Sequence, residues 1–248
     1  MAKKQQASKS KRQIIREQRL RRQRQQRLIT ILAVSIGAIA IAAILIIPSL
    51  TPVGEIIQIT PVERPMVDGT ALGEDDAPVL VEVWEDFQCP ACRNFSEDVE
   101  PQIVDNYVAT GKVRYVYRHY PFLDDRSISN ESDQAANASM CAAEQGRFWD
   151  YHDILFANWN SENAGAFSDK RLVAYAEALG LDMDSFNSCF RANRYKEQID
   201  KDLADGNVAG VSGTPSLFVN GEQIAPGFVP SYAQVSQAIE TALASSGN

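Results

Sequence analysis

Cys89 and Cys92 stand three positions apart in the stretch EVWEDFQCPACRNF, residues 82–95, and two more cysteines, Cys141 and Cys189, follow at a distance. A close pair of this kind supports three chemistries: a structural disulfide, half of a metal site, or a dithiol that cycles between thiols and a disulfide. A zinc site needs four ligands, usually with a second close Cys or His pair. Here the other cysteines are isolated, and the two histidines, His119 and His152, lie far apart, so no metal is expected. A purely structural bridge more often closes a longer loop, where it constrains the unfolded chain better. The redox dithiol is the reading carried forward.

That chemistry depends on where the pair sits. The run APVLVEVWEDF is rich in β-branched and aromatic residues, and residues 79–84 read as a buried strand. Pro90 then suits the first position of a helix. Cys89 therefore falls at a strand-to-helix junction, where unpaired N–H groups and the helix dipole favour a thiolate. Such sites lower a cysteine pKa from about 8.5 into a range of roughly 3.5–7.5. Cys92, one turn deeper, is placed to resolve a mixed disulfide on Cys89.

The helix carries Phe95, Val99, Ile103 and Tyr107 as one apolar stripe, with a kink or break expected at Pro101 and an end at Gly111. KVRYVYRHY alternates as a second strand. Residues from about 125 to 209 read as helical throughout, with a break near Gly146, a capping Ser168 and a terminating Gly180. SLFVNGEQIA forms a hairpin around Asn220 and Gly221, and a closing helix places Val235, Ile239 and Leu243 on one face. The order β-α-β, helical insert, β-β-α is an α/β, thioredoxin-type arrangement. Thr214-Pro215 stands just before a strand, where a cis bond would set the Thr214 backbone beside the cysteines; an ordinary trans loop proline is the alternative. Pro90, Ala91, Thr214 and Pro215 are the candidate substrate-groove residues.

Net charge is −8, but residues 1–27 hold eleven Lys or Arg against one acid, Glu17, so the total divides into +10 and −18. Residues 28–47 carry no charge and just span a hydrocarbon core of about 30 Å. The run ends ILIIPSLTPV, a poor match to a cleavage site, so it reads as an uncleaved single-pass anchor. The basic tail stays cytoplasmic by the positive-inside rule and leaves the acidic part outside. Beside a membrane span, topology and anionic lipid explain the tail more simply than nucleic acid does. Residues 48–76, with four prolines, read as a linker with a short strand at EIIQI, and the folded domain is expected over 77–248.

DFQCPAC, CAAEQGRFWDYHDILF and GVSGTPSLFVNG, in this order, resemble the DsbA-like thiol–disulfide oxidoreductases, over roughly residue 66 to the C-terminus. The resemblance implies a thioredoxin fold with a helical insert, Cys89 as nucleophile, Cys92 as resolving cysteine and Pro215 as a cis-proline. It implies no organic cofactor, an extracytoplasmic site of action, reduced exported proteins or peptides as substrates, and a quinone-linked membrane protein as redox partner. Two departures stand out. Relatives often place a proton-relaying acid six positions before the first cysteine; that position is Val83, with Glu82 and Glu85 nearby as substitutes. The Pro-Ala dipeptide lacks the histidine of the strongest oxidants.

Cys141 and Cys189 fall on expected insert helices, 48 positions apart. Outside the cytoplasm they are expected to form a structural disulfide; two buried, reduced cysteines are the alternative. His152 reads as a packed helix residue and His119 as a turn residue. Asn-x-Ser occurs at Asn94, Asn130 and Asn137, matches short enough to arise by chance, and no glycosylation is assigned. An outward-facing reductase or isomerase, or a non-catalytic peptide-binding module, remain the competing functions.

Overall fold

Val79, Val81 and Val83 alternate with more exposed neighbours, and all three are fully buried. This period-two burial makes residues 79–85 a central strand. The computed structural model describes residues 11–50, 52–124 and 129–246. Two compact units are present, the first ending at Pro52 and the second starting at Val53.

The first unit is one helix, α1 (Lys11–Leu50), which runs through the basic segment and the apolar segment without a break. Within its stretch Ile15–Ile44 an 18-residue window reaches a mean hydropathy of 2.3, and α1 is, among the described residues, the one helix long and apolar enough to cross a membrane. The helix fits a membrane anchor. Residues 1–10 of the basic tail lie outside the described residues.

The second unit is built on a six-stranded sheet in the order β1-β2-β4-β3-β5-β6. The strands are β1 (Val67–Asp68), β2 (Ala71–Leu72), β3 (Val79–Glu85), β4 (Val113–His119), β5 (Ser216–Val219) and β6 (Glu222–Ile224). β3 runs parallel to β4 and antiparallel to β5, so it is covered along both edges. Between β3 and β4 lie α2 (Pro90–Asp98), the single turn α3 (Glu100–Ile103) and a π-helical turn, Val104–Val108. The expected break falls at Val99, two residues before Pro101, whose ring cannot continue the hydrogen-bond ladder. The insert comprises α4 (Glu131–Ala143), α5 (Phe148–Ala157), α6 (Asp169–Ala178), α7 (Met183–Arg191) and α8 (Lys196–Ala209). Its expected start near residue 125 lies outside the described residues. Asn220 and Gly221, both at positive φ, turn β5 into β6, and α9 (Tyr232–Ser246) closes the fold on Val235 and Ile239.

Two expectations about the linker need correction. EIIQI forms no strand. The Ile57 backbone instead donates to Asn158 Oδ1 and accepts from Asn158 Nδ2, both at 2.9 Å, so a side-chain amide on the insert stands in for a strand partner. The sheet also begins before Ala77, because β1 and β2 form a small hairpin that pairs through β2 with β4.

The main core lies between the sheet and the α2, α4–α7 side and is rich in aromatic residues. A smaller cluster of Trp84, Tyr120, Val211 and Phe218 fills the other face beneath α8. Gly206 in α8 permits that close approach: a Cβ there would stand 2.8 Å from the Trp84 and Tyr120 rings. Cys141 on α4 and Cys189 on α7 are joined, with Cα atoms 5.7 Å apart.

Candidate active site

Cys89 is the N-cap residue of α2, with extended backbone (φ −76°, ψ 120°) and Pro90 at the first helical position. Its carbonyl accepts the first helical hydrogen bond, from Arg93 N at 3.1 Å. The orphan N–H groups of the first turn therefore point toward its sulfur. Both Cys89 and Cys92 are free thiols, Cys89 7% exposed and Cys92 fully buried.

The turn that presents Cys89 is held by a buried aspartate. Asp86 Oδ1 accepts from Gln88 N (2.8 Å) and from the Ser132 hydroxyl (2.7 Å), and Oδ2 accepts from Leu123 N (3.1 Å). Cys89 N in turn donates to Asp86 O at 2.9 Å. Burial raises the Asp86 carboxyl to about 7, partly offset by these donors. The Gln88 side-chain amide donates to the Ser132 hydroxyl at 2.9 Å, and the Gln88 backbone carbonyl accepts from the Trp159 indole at 2.7 Å. These contacts come from α4 and from the loop after α5, so insert and catalytic turn are one construction.

Across from α2, the Thr214–Pro215 peptide bond is cis. The Cys89 thiol donates to Thr214 O at 3.3 Å. The Cys89 pKa is lowered to about 6. The largest cause is a hydrogen bond from the Cys92 thiol; burial opposes it, and Thr214 together with the backbone N–H groups of Cys92 and Ala91 adds to it. Cys92 moves the other way, pushed well above the ordinary thiol range by burial, by its bond to Cys89 and by the charge of Glu85. The pair is thus split into a slightly exposed thiolate former and a fully enclosed, protonated thiol, the asymmetry that directs exchange to one sulfur.

Of the two acids near the cysteines, the structure brings in one. Glu85 is 1% exposed, and the field of Cys89 reaches it. Burial first, then the charges of Glu100 and Cys89, pushes its carboxyl well above the ordinary range. Glu82 is turned to the opposite face, where Arg118 donates to it from Nη2 at 2.8 Å. The reason is strand geometry: residues three apart on β3 point to opposite sides. His152 and His119 are both buried, and burial lowers His119 to about 3, which keeps it neutral. Among the described residues, no cluster of His, Cys, Asp and Glu has the makings of a metal site.

Sequence reasoning did not single out Asp86, Gln88, Trp159 or Glu100. The one available signal was the polar EDFQ tail on an otherwise apolar strand. Its insert-side partners lie 37 to 71 residues away, beyond any local pattern.

The sheet with its helical insert, the cysteine pair capping α2 and the cis-proline opposite define the class of thiol–disulfide oxidoreductases built on the thioredoxin fold. A thioredoxin family model matches residues 66–241. The chain belongs to that family, as a DsbA-like member carrying an N-terminal apolar helix.

Among curated relatives, the probable disulfide bond formation protein D of Bacillus cereus is 30% identical over 162 residues, covering 64% of this chain and 73% of the relative. The Na(+)/H(+) antiporter NhaA 3 of Salinispora tropica is 37% identical over 151 residues, covering 61% of this chain. The chain spans only about a fifth of that antiporter (21%). Among solved structures, BdbD from Bacillus subtilis in its oxidised form superposes with a TM-score of 0.63 at 25% identity, covering 73% of this chain and 96% of BdbD. A thioredoxin-like oxidoreductase from Silicibacter pomeroyi gives a TM-score of 0.58 at 28% identity, covering 70% of this chain and 91% of that one.

Proposed function

We propose that this chain is a membrane-anchored oxidase that introduces disulfides into exported proteins. The observation that carries the reading is the placement of the two sulfurs: Cys89 caps α2 with its sulfur 3.3 Å from the Thr214 carbonyl at the cis-proline, and Cys92 lies fully buried behind it, an arrangement that favours ionisation of Cys89 over Cys92. An ionised Cys89 stabilises the reduced protein, and a dithiol with a stabilised reduced form is a strong oxidant.

In the reaction, a substrate thiolate attacks Cys89 Sγ of the Cys89–Cys92 disulfide. The S–S bond breaks, Cys92 departs with the electron pair and takes up a proton, and a mixed disulfide remains on Cys89. The second substrate thiolate attacks the substrate's own sulfur in that mixed disulfide. Cys89 leaves as the thiolate, a good leaving group because its pKa is low. Two electrons pass from substrate to protein. Pro90 and Ala91 line one side of the entry, and Thr214 and Pro215 offer backbone groups to an extended peptide on the other. Glu85 supplies the proton to Cys92.

The basic residues from Lys11 to Arg27 hold the amino end of α1 in the cytoplasm, so the catalytic unit faces outward, where thiols are oxidised. Reoxidation falls to a quinone-linked membrane protein. The test is the reduction potential of the full chain in detergent, equilibrated with glutathione. The oxidase reading expects a value well above the roughly −270 mV of thioredoxin. A value near that figure assigns the chain to outward reduction or isomerisation instead.

A further inference from the structure

Gln88, the residue before the nucleophile, is fully buried, and each of its polar groups is engaged. Its N–H donates to Asp86, and its side-chain oxygen accepts from Asn163 N at 2.6 Å. Its side-chain amide donates to Ser132 Oγ at 2.9 Å and to Asp124 Oδ1 at 3.2 Å. Its backbone carbonyl accepts from Trp159 Nε1 at 2.7 Å. A buried network satisfied in this way specifies one backbone geometry. The Trp159 ring also lies under Arg93, whose guanidinium carbon stands 5.8 Å from the ring centroid. Trp159 therefore grips the entry to α2 at two points, one residue before Cys89 and four residues after it.

What holds Trp159 is the end of α5. Its backbone N–H donates to Phe156 O at 3.2 Å, and the residue before it, Asn158, is the helix C-cap. Asn158 is buried, and its side chain works in two directions. Nδ2 donates to Ile154 O at 2.9 Å and so closes the last turn of α5. The same nitrogen donates to Ile57 O, and Oδ1 accepts from Ile57 N, both at 2.9 Å. One side chain thus caps a helix and binds the backbone of a segment 101 residues earlier.

That segment leads from the apolar helix to β1, and residues 53–64 form neither helix nor strand. A connection of this kind ordinarily runs loose over the surface. This one is fastened along its length. Arg171 Nη2 donates to Glu55 O at 3.4 Å, and Arg64 holds Asp153 with two bonds, at 2.8 and 3.0 Å. Ile56 and Ile59 pack against the main core. The Ile57 side chain is 57% exposed, so at that position the backbone does the binding. Asn158 and Trp159 are neighbours in sequence. The fastening of the segment and the grip on Gln88 are therefore one peptide bond apart.

We propose that Trp159 is a positioning residue for Cys89, and that residues 53–64, docked on Asn158, set where Trp159 stands. The indole holds the Gln88 carbonyl on the insert side. The dipoles that the neighbouring sulfur meets are then the first N–H groups of α2, which favour its ionised form. When the segment lifts from Asn158, the end of α5 loosens and the indole leaves Gln88. The freed carbonyl oxygen can turn toward the sulfur, and a negative dipole end there disfavours the thiolate. The chain between the apolar helix and β1 thus works as part of the active site, and the reactivity of Cys89 depends on its being docked.

The proposal rests on Cys89 as the nucleophile of the dithiol, and the two fail separately. The reduced full-length chain in detergent is labelled with iodoacetamide across a pH series, Cys89 is read by mass spectrometry, and urea unfolding is run alongside. Trp159→Phe keeps a ring and removes the donor, and its Cys89 midpoint is expected about 1 pH unit above native. Asn158→Leu, close to it in volume, and Ile57→Pro, which deletes the N–H that Asn158 receives, are each expected to rise by about half as much. Ile57→Pro leaves every insert residue in place and changes an exposed side chain, so it reads the proposal without threatening the fold. Asn158→Leu combined with Trp159→Phe should match Trp159→Phe alone, because both act on one carbonyl. Replacing Cys141 and Cys189 with alanine lowers stability with the midpoint unmoved, which separates positioning from a weaker fold. A native midpoint in any of the three single variants, or shifts that add in the double variant, overturns the proposal. Trapping of an oxidised peptide on Cys92→Ser distinguishes the two failures. No trapped species means that the dithiol reading has failed; trapping together with native midpoints leaves the dithiol intact and removes Trp159 from its control.

Discussion

The Cys89 sulfur lies 3.3 Å from the carbonyl oxygen of Thr214, the residue that opens the cis peptide bond to Pro215. The same residue places a hydroxyl near both sulfurs; Thr214 is among the causes that lower Cys89 and also limits the rise of Cys92. That hydroxyl, Oγ1, is buried and has no nitrogen or oxygen partner among the described residues, so it is free to donate to a thiolate. Thr214→Val keeps the shape and the backbone clamp and removes the donor. Cys89 is then expected to titrate higher, by an amount worth about 1 kcal/mol, typical of one hydrogen bond. Alkylation rate against pH, native and variant side by side, checks the shift.

Redox state and pH are coupled through the same sulfur. In the folded reduced chain Cys89 titrates at about 6, below its unfolded value near 8.5. A depressed pKa contributes stability that is fully present above the unfolded value and is lost as pH falls through the folded one. Glu85, raised in the folded state, works in the opposite sense: its contribution is present at acid pH and is lost as pH rises. It is present in both redox forms, so it largely cancels in their difference. The stability of the reduced chain relative to the oxidised chain is therefore expected to fall by about 3 kcal/mol from pH 8.5 to pH 5. Paired urea unfolding curves of the two redox forms measure it.

Asp86 accepts three donors around the turn before Cys89. Asp86→Asn would aim an amide N–H₂ at one of them. A loss of about 1–3 kcal/mol is expected at pH 6. Because the Asp86 carboxyl is raised to about 7, its contribution is present at low pH and is lost as pH rises through 7. The gap between native and variant should narrow toward pH 9, which thermal melts at several pH values will show.

Cys141 and Cys189 close a separation of 48 residues between α4 and α7. Replacing both with alanine frees the unfolded chain and is expected to cost about 4 kcal/mol. The loss should appear in chemical unfolding, while the reactivity of Cys89 stays near native, since the bridge lies within the insert.

How much of this was readable in the residues depends on the range of the forces involved. β3, α2, the Asn220–Gly221 hairpin and α9 announce themselves because their signals are local: alternation, a proline at a helix start, a turn dipeptide and a four-residue stripe. β1 and β2 are two residues each and too short to show a period. EIIQI looks like a strand but finds a side-chain amide on the insert instead of a sheet edge. The cysteine pair and Pro215 were legible from spacing. The choice between Glu82 and Glu85 turns on which face of β3 each occupies, which requires knowing that β3 extends to residue 85 rather than ending at Trp84. Glu100 becomes a site residue only when the segment carrying Arg64 and the helix carrying His152 meet over it, a tertiary event with no local trace.

The central claim is that Cys89 is held as a thiolate at neutral pH while Cys92 stays protonated. The reduced full-length chain should be treated with iodoacetamide at pH values from 4 to 10 and the rate of labelling at each cysteine read by mass spectrometry. Labelling of Cys89 alone, rising with a midpoint near pH 6, is the predicted result. A midpoint near 8.5, the value of an unperturbed thiol, or equal labelling of both cysteines, would contradict it.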